Sequence, residues 1–259
     1  MKKEKTKIIY YTDEINNEFS KAKITPKTID KNFKYEKNKI WEVFSFLFQN
    51  ILSMPIKILY LKIKFNHKII GKEKIKEYKK HKTGFFIYAN HTQEFADTII
   101  PSMIAYPKRN FYIVNPENIS MYHTGPIIEL LGAIPVPGDL TSSKNFLKII
   151  EKRINKNYSI SIYPEAHIWP YCTFIRNFKQ ISFRYPKIYN VPMFIVTNTY
   201  QKKKNKVQIV SYVDGPFYPK QDLTLKENEK YLRDLAYNTM KKRAKNSNIE
   251  IIKYIKKED

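Results

Sequence analysis

The stretch that decides the fold is FFIYANHTQEFADTIIP, residues 85–101. It begins with an apolar, aromatic run that predicts a buried strand, and it ends with a second apolar run that predicts a helix. Around the junction of the two runs lie His91, Glu94 and Asp97. Functional sites in α/β proteins gather just beyond the carboxyl ends of strands, so these side chains mark a candidate site.

The same strand-to-helix alternation continues along the chain. Further strand-like runs are NFYIV (110–114), GAIPV (132–136), YSISIYP (158–164), VPMFIVTN (191–198) and KVQIVSYVDGP (206–216). Helical patterns occupy residues 142–154 and 228–245. Strands that alternate with helices predict an α/β fold, a mostly parallel sheet covered by helices. A second ionisable cluster, YPEAHIWPY at 163–171, follows another predicted strand.

Composition narrows the class of protein and its partners. The chain has 259 residues, 42% of them hydrophobic, which is enough for a large core. Its formal net charge of +23 suits anionic partners such as phospholipid headgroups, acyl carriers or nucleic acid, although abundant Lys also fits a biased composition. Cys172 is the single cysteine, so no intrachain disulfide is possible, and the first residues show no secretory signal.

The N-terminal region predicts an arm followed by an amphipathic helix. Residues 1–39 are Lys-rich and weakly patterned, whereas IWEVFSFLFQNILSMPIKILYLKI (40–63) is strongly apolar. Its polar positions recur three or four apart and form one narrow stripe on a helix; they are Glu42, Ser45, Gln49, Ser53 and Lys57. We therefore divide the chain into residues 1–64, an arm and docking segment, and residues 65–259, the α/β domain.

Two placements of the 40–63 helix stay open. Its charge-free part, 43–56, is short for a bilayer span, which needs about 20 apolar residues. A helix in the membrane interface fits better, with a kink at Pro55 and with Lys57, Lys62, Lys64 and Lys68 at the headgroup level. The alternative is a core helix packed on the domain.

His91 is the candidate general base. Neutral imidazole suits proton abstraction near neutral pH and needs a partner to fix its tautomer, for which Glu94 and Asp97 are both available. On one continuous helix, six positions would place His91 and Asp97 on different faces, so their pairing requires a loop-to-helix junction. A zinc site of His91, Asp97 and His167 lacks His-x3-His or Cys-x2-Cys spacing, and no metal is expected.

Four ordered blocks resemble the signature of the glycerophospholipid (lysophosphatidate) acyltransferase family. NHTQEFAD resembles its first block, Asn-His, four residues, then Asp. GPIIELLGAIPV (125–136) resembles the second, YPEAHIWPYCTFIRNFK (163–179) the third, usually Phe-Pro-Glu-Gly-Thr-Arg, and NVPMFIVTNTY (190–200) the fourth. The resemblance extends over about 65–216.

The resemblance implies an enzyme of phospholipid biosynthesis. Such an enzyme passes a fatty acyl group from acyl-CoA or acyl carrier protein to a hydroxyl of a lysophospholipid, here 1-acylglycerol 3-phosphate. By position, His91 would take the hydroxyl proton, Asp97 would orient His91, and Glu165 would help to bind the acceptor. Attack is direct, without an enzyme nucleophile or a cofactor. The implied location is the cytoplasmic face of the membrane, peripheral or monotopic.

The sequence departs from the family pattern in the first block and at the acceptor residues. His91 and Asp97 are separated by five residues rather than four, which leaves Glu94 as the alternative partner. Gly-Thr-Arg is replaced by Ala-His-Ile at 166–168, and the second block lacks its usual basic residue.

The missing arginine of the third block leaves three candidate acceptor ligands. Arg176 and Lys179 could supply the charge for the acceptor phosphate, and Arg176 is preferred for its bidentate geometry. His167 either binds the acceptor or caps the strand end.

The rival hypothesis is a non-catalytic basic module that binds anionic membrane or nucleic acid. It rests on the net charge and on Lys-rich stretches such as QKKKNKVQ (201–208). The sequence carries no RNA-binding or helix-turn-helix signature, and charge runs are usually solvated. We therefore expect membrane lipids and an acyl donor as partners, and no nucleic acid.

Overall fold

A computed structural model describes residues 6–19, 24–78, 80–204 and 206–257. The strands are β1 Lys7–Tyr11, β2 Lys68–Ile70, β3 Phe85–Ala89, β4 Asn110–Val114, β5 Ala133–Pro135, β6 Ser159–Ile162, β7 Met193–Lys203, β8 Lys206–Phe217 and β9 Ile252–Lys256. The helices are α1 Lys39–Leu47, α2 Ser53–Phe65, α3 Lys72–Tyr78, α4 Ala96–Ala105, α5 Pro116–Ser120, α6 Gly125–Leu130, α7 Leu140–Asn155, α8 Tyr185–Ile188 and α9 Leu225–Ala244.

One seven-stranded sheet forms the centre of the fold, with the strand order β2-β8-β7-β3-β6-β4-β5. Neighbouring strands are parallel except β7 and β8, which form an antiparallel hairpin closed at Lys203 and Lys206. The predicted mostly parallel α/β fold is confirmed, and each of the six predicted strands is present. β1, β2 and β9 were not predicted.

Both faces of the sheet are buried. On β3, Phe86 and Tyr88 join a core with α7 and α9, whereas Phe85 and Ile87 join a second core with α2, α3 and α4. Alternate residues of a strand point to opposite faces, so a strand covered on both sides reads as the unbroken apolar run that opened the sequence. This packing fixes the carboxyl end of β3.

The arm packs against the domain. β1 pairs with β9 in a small parallel sheet, and Tyr11 contacts the ring of Trp169 at a centroid distance of 4.8 Å. Trp169 is fully buried, and its Nε1 donates to the carbonyl oxygen of Asn17 at 2.9 Å. Residues 6–19 therefore cap the third block. The predicted boundary between residues 64 and 65 stays a prediction.

The helix of the N-terminal region, Lys39–Phe65, is called the docking helix below. It runs for 27 residues and is apolar and long enough to cross a membrane by length and composition. A π-helical turn, Phe48–Leu52, joins α1 to α2 just before Pro55. Proline has no N–H for an i→i−4 bond, which accords with irregular helical hydrogen bonding next to it, and the kink expected at Pro55 stays a prediction.

The polar stripe of the docking helix faces the domain. Arg109 donates to Glu42 Oε2 at 2.9 Å and to Gln49 Oε1 at 2.8 Å. Arg153 donates to both carboxylate oxygens of Glu42, at 3.0 and 2.5 Å. Ser45 Oγ donates to the carbonyl oxygen of Leu130 at 2.6 Å. The stripe is therefore held to the domain by polar contacts, and at the end of the helix Leu61 and Phe65 pack into the second core.

The apolar circumference of the docking helix faces outward. Its exposed large side chains are Ile40, Val43, Phe44, Phe46, Leu47, Ile51, Leu52, Ile56, Ile58, Leu59 and Ile63. Apart from its C-terminal end, where Leu61 and Phe65 are buried, the helix exposes the large apolar side chains that a core helix would bury. The expectation for Lys57 was wrong: Lys57 is buried and donates to the carbonyl oxygen of Gln49 at 3.3 Å, because it belongs to the inward stripe.

Candidate active site

The two ionisable clusters meet at the carboxyl ends of β3 and β6, which are neighbours in the sheet. The ring of His91, just after β3, stacks on the ring of Tyr163, just after β6, at a centroid distance of 4.3 Å. Asn90 fixes the end of β3 to β7: its Oδ1 accepts from Asn198 N at 2.8 Å, and its Nδ2 donates to Asn198 O at 3.0 Å.

His91 pairs with Asp97. His91 Nδ1 lies 2.9 Å from Asp97 Oδ2, and the same oxygen accepts from the backbone N–H groups of Thr92 and Gln93 at 2.7 and 2.8 Å. Asp97 is in the first turn of α4, so the pair spans the loop-to-helix junction that the spacing requires. These two backbone hydrogen bonds fold the loop onto Asp97, so that the loop accommodates one residue more than the family spacing. Glu94, the alternative partner, is exposed.

This geometry leaves His91 ready to accept a proton. A carboxylate only accepts, so Nδ1 carries the proton and Nε2 holds the free lone pair. The side chain of His91 is 15% exposed, whereas Asp97 is fully buried. Burial, with the charge of Asp97, raises the pKa of the Tyr163 and Tyr200 hydroxyls well above the usual value. These tyrosines therefore stay neutral near pH 7.

Cys172 does not offer an alternative nucleophile. Its thiol is buried within the third block, and burial, reinforced by the charge of Glu165, raises its pKa. The thiolate is the reactive form, and this environment disfavours it. The chemistry of the site therefore centres on the imidazole.

Glu165 holds the backbone of His91 in place. Its Oε2 accepts from the backbone N–H of His91 at 2.8 Å, and its Oε1 accepts from the backbone N–H of Arg176 at 2.9 Å. The carboxylate is buried and directed at these backbone groups. Glu165 thus joins the first block to the third, and its predicted contact with the acceptor stays a prediction.

Arg176, which the sequence predicted to bind the acceptor phosphate, is engaged by other groups of the protein. Its guanidinium is fully buried, lies 4.7 Å from the Trp169 ring centroid, and donates to Glu165 Oε2 at 3.4 Å. It also donates to the carbonyl oxygens of Glu14 and His167. These contacts bury the guanidinium within the third block, and its predicted contact with the acceptor phosphate stays a prediction.

The other two predicted acceptor ligands are more accessible. Lys179 is exposed, three residues beyond Arg176. His167 is half-buried, with Nδ1 3.7 Å from Glu18 Oε2 of the arm. Neither contacts His91 through its side chain among the contacts of the described residues.

Sequence reasoning missed Asn198. Its Nδ2 donates to Asp97 Oδ1 at 3.2 Å, so the carboxylate is held on both oxygens. The available signal was the polar triplet Thr-Asn-Thr at 197–199 inside an otherwise apolar strand. A buried polar side chain in a central strand needs a partner, and here that partner belongs to the site.

Comparisons with known proteins agree with this geometry. The Acyltransferase family model matches residues 67–219, more than half of the chain. The crystal structure of the 1-acyl-sn-glycerophosphate (LPA) acyltransferase PlsC from Thermotoga maritima shares the fold, with 14% sequence identity, a TM-score of 0.50 and 79% of each chain covered. No curated protein sequence matches significantly. The chain therefore belongs to the acyltransferase family, as its four blocks predicted, and is an O-acyltransferase.

Proposed function

We propose that this enzyme acylates the free hydroxyl of a lysophospholipid at a membrane surface, with 1-acylglycerol 3-phosphate as acceptor and acyl-CoA or acyl carrier protein as donor. The observation that carries the proposal is the His91–Asp97 pair, 2.9 Å apart, at the end of the central strand of an acyltransferase. The LPA acyltransferase from Thermotoga maritima, which has a similar fold, supports the choice of acceptor.

The proposed reaction needs one proton carrier. His91 Nε2 takes the hydroxyl proton as the hydroxyl oxygen attacks the thioester carbonyl carbon, and Asp97 stabilises the resulting imidazolium through Nδ1–H. The tetrahedral intermediate then collapses, the C–S bond breaks, and the imidazolium returns its proton to the leaving thiolate. The products are an ester and a thiol. A positioned general base typically contributes about 10²- to 10⁴-fold to the rate.

The docking helix supports a membrane location. An apolar face of this size is unfavourable in water, and the polar contacts on the opposite face prevent the helix from turning it inward. Burial of that face among lipid acyl chains removes the cost. Lys62, Lys64 and Lys68 are exposed near its end and suit anionic headgroups of the cytoplasmic leaflet.

Acceptor phosphate recognition is assigned to Lys179 and His167 instead of Arg176. Lys179 carries an exposed cation on the third block, and His167 occupies the position next to Ala166, where the family has Gly-Thr-Arg. The net charge of +23 attracts an anionic lipid to this surface in general terms.

The test supplies purified protein with radiolabelled acyl-CoA or acyl-loaded carrier protein and with vesicles containing lysophosphatidate, lysophosphatidylcholine and glycerol 3-phosphate. Extracted lipids are identified by mass spectrometry. We expect labelled phosphatidate, lost in His91→Ala and retained in His81→Ala, which removes an exposed histidine before β3. Equal product from both variants would overturn the assignment of the base. Labelling of another acceptor only would overturn the choice of lysophosphatidate.

A further inference from the structure

A series of hydrogen-bonded side chains leads from Asp97 away from His91. Asp97 Oδ1 accepts from Asn198 Nδ2 at 3.2 Å, and Asn198 Oδ1 accepts from Ser211 Oγ at 2.6 Å. Ser211 Oγ lies 2.8 Å from His67 Nε2. This series of hydrogen bonds therefore crosses β7 and β8 and ends at His67, the residue that precedes β2.

The sheet itself sets this alignment. Asn198 and Ser211 are directly paired in the antiparallel hairpin of β7 and β8. The backbone of Asn198 is fixed to the end of β3 by the two bonds with Asn90. Asp97, Asn198 and Ser211 are all buried, so water does not compete for their hydrogen bonds. The two middle members of the network, Asn198 and Ser211, are therefore held in place by paired strands.

The hydrogen bonds have a single direction. An amide that donates to Asp97 through Nδ2 must present Oδ1 to Ser211. The only proton of the Ser211 hydroxyl is then given to Asn198, so Ser211 Oγ accepts from His67 Nε2–H. Burial, with the charge of Lys72 adding to it, lowers the pKa of His67 to about 4, so His67 is neutral near pH 7 and able to hold this proton. Hydrogen bonds aligned in this way polarise one another toward the carboxylate.

We propose that Asn198, Ser211 and His67 are positioning residues that hold the Asp97 carboxylate oriented toward His91. The inference rests on the proposed role of His91 as the base. None of the three residues touches substrate, and they act through Asp97. The other groups around Asp97 are the backbone N–H groups of the loop, His91, and the hydroxyls of Tyr163 and Tyr200, which stay neutral.

Asn198→Asp is the sharpest test because it keeps the shape of the side chain and removes its donor. Near pH 7.5 the new carboxylate faces Asp97, and two like charges cannot share the site. We expect kcat to fall by about tenfold or more, the equivalent of one well-formed hydrogen bond to a charged group. At lower pH the pair takes up a proton, the donor returns, and the ratio of variant to wild-type kcat rises. Asn198→Ala loses activity without this recovery.

Thr199→Val is the matched control. Thr199 is the next residue of β7, is equally buried, and its Oγ1 donates to the carbonyl oxygen of Val210 at 3.0 Å, away from Asp97. We expect its kcat and its pH profile to follow the wild type. Ser211→Ala, which breaks the series of hydrogen bonds one step further out, should lower kcat by a smaller factor than Asn198→Ala with little change in KM.

The outcomes separate the two proposals. A constant ratio of Asn198→Asp to wild-type kcat from pH 7.5 to 5.5 overturns the positioning role, as does a kcat of Asn198→Ala equal to that of Thr199→Val. If Asn198→Asp does not fold, wild-type kcat in Ser211→Ala overturns the positioning role instead. His91→Ala is measured in parallel. Retained activity in His91→Ala rejects His91 as the base. Lost activity in His91→Ala, together with wild-type activity in the Asn198 variants, rejects the positioning role alone.

Discussion

Replacement of Glu42 with glutamine is expected to loosen the docking helix from the domain. The Glu42 carboxylate accepts from Arg109 at 2.9 Å and from Arg153 at 3.0 and 2.5 Å. Both guanidinium groups lie against the ring of Phe111, at 4.5 and 4.4 Å from its centroid, and both are almost fully buried. Glutamine keeps the shape of the side chain but leaves two buried cations without a counter-charge.

The magnitude follows from the burial of the pair. Removal of one partner from a buried ion pair costs about 3–5 kcal/mol. Glu42 is 25% exposed and glutamine retains neutral hydrogen bonds, so we expect a loss of about 2–3 kcal/mol in the free energy of unfolding. Urea titration of the protein in mild detergent, followed by tryptophan fluorescence, measures this loss.

Glu36→Gln is the control. Glu36 pairs with Lys152 at 2.6 Å, but the two side chains are 59% and 42% exposed, and such a pair contributes about 0–1 kcal/mol. If Glu42→Gln lost no more stability than Glu36→Gln, the idea that this carboxylate clamps the docking helix would be refuted.

Three further predictions concern acid stability, the third block and the membrane face. Burial opposes ionisation of Glu42 and Asp214, but hydrogen bonds from arginine outweigh burial and keep both pKa values below the usual range. The free energy of unfolding should therefore be highest near neutral pH and fall below about pH 4. An unchanged free energy of unfolding at pH 3 would contradict this. Ala166 has φ +62°, and Ala166→Gly should add about 0.5–1 kcal/mol of stability in urea titration; a loss would show that the strain is absent. Ile56→Asp should weaken sedimentation with anionic vesicles and Leu140→Asp, exposed on the domain, should not; equal binding would argue against the docking face.

The central strands could be predicted from the sequence because each of them buries both faces. The run at 85–89 is unbroken and apolar, and the structure places it in the middle of the sheet with both faces covered. β1 and β9 were missed because they are short runs, KIIYY and IKYIK, that are only partly buried and pair only after distant parts of the chain meet.

The polar stripe of the docking helix was visible in the sequence, but its direction was not. Periodicity gives the side chains that share a face, and it does not say what that face contacts. Here Arg109 and Arg153, distant in sequence, turn the stripe inward. The buried partner of a polar stripe is tertiary information.

The contacts of the site residues also depend on tertiary information that the sequence pattern does not carry. The pairing of His91 with Asp97 depended on how one extra residue is absorbed, which the backbone bonds of Thr92 and Gln93 to Asp97 decide. Arg176 was predicted at the acceptor because its guanidinium suits phosphate, but Glu165 and Trp169 engage it first. Only its apolar sequence neighbours in TFIRNF hinted at burial.

The most direct test of a base held by Asp97 is a double-mutant cycle on His91 and Asp97, read as kcat for acyl transfer to lysophosphatidate in vesicles. His91→Ala should lower kcat by about 10²- to 10⁴-fold and Asp97→Asn by a smaller factor. If the two act as one unit, the double variant is no slower than His91→Ala alone. Single effects that multiply, or His91→Ala activity within about tenfold of the wild type, would contradict this mechanism.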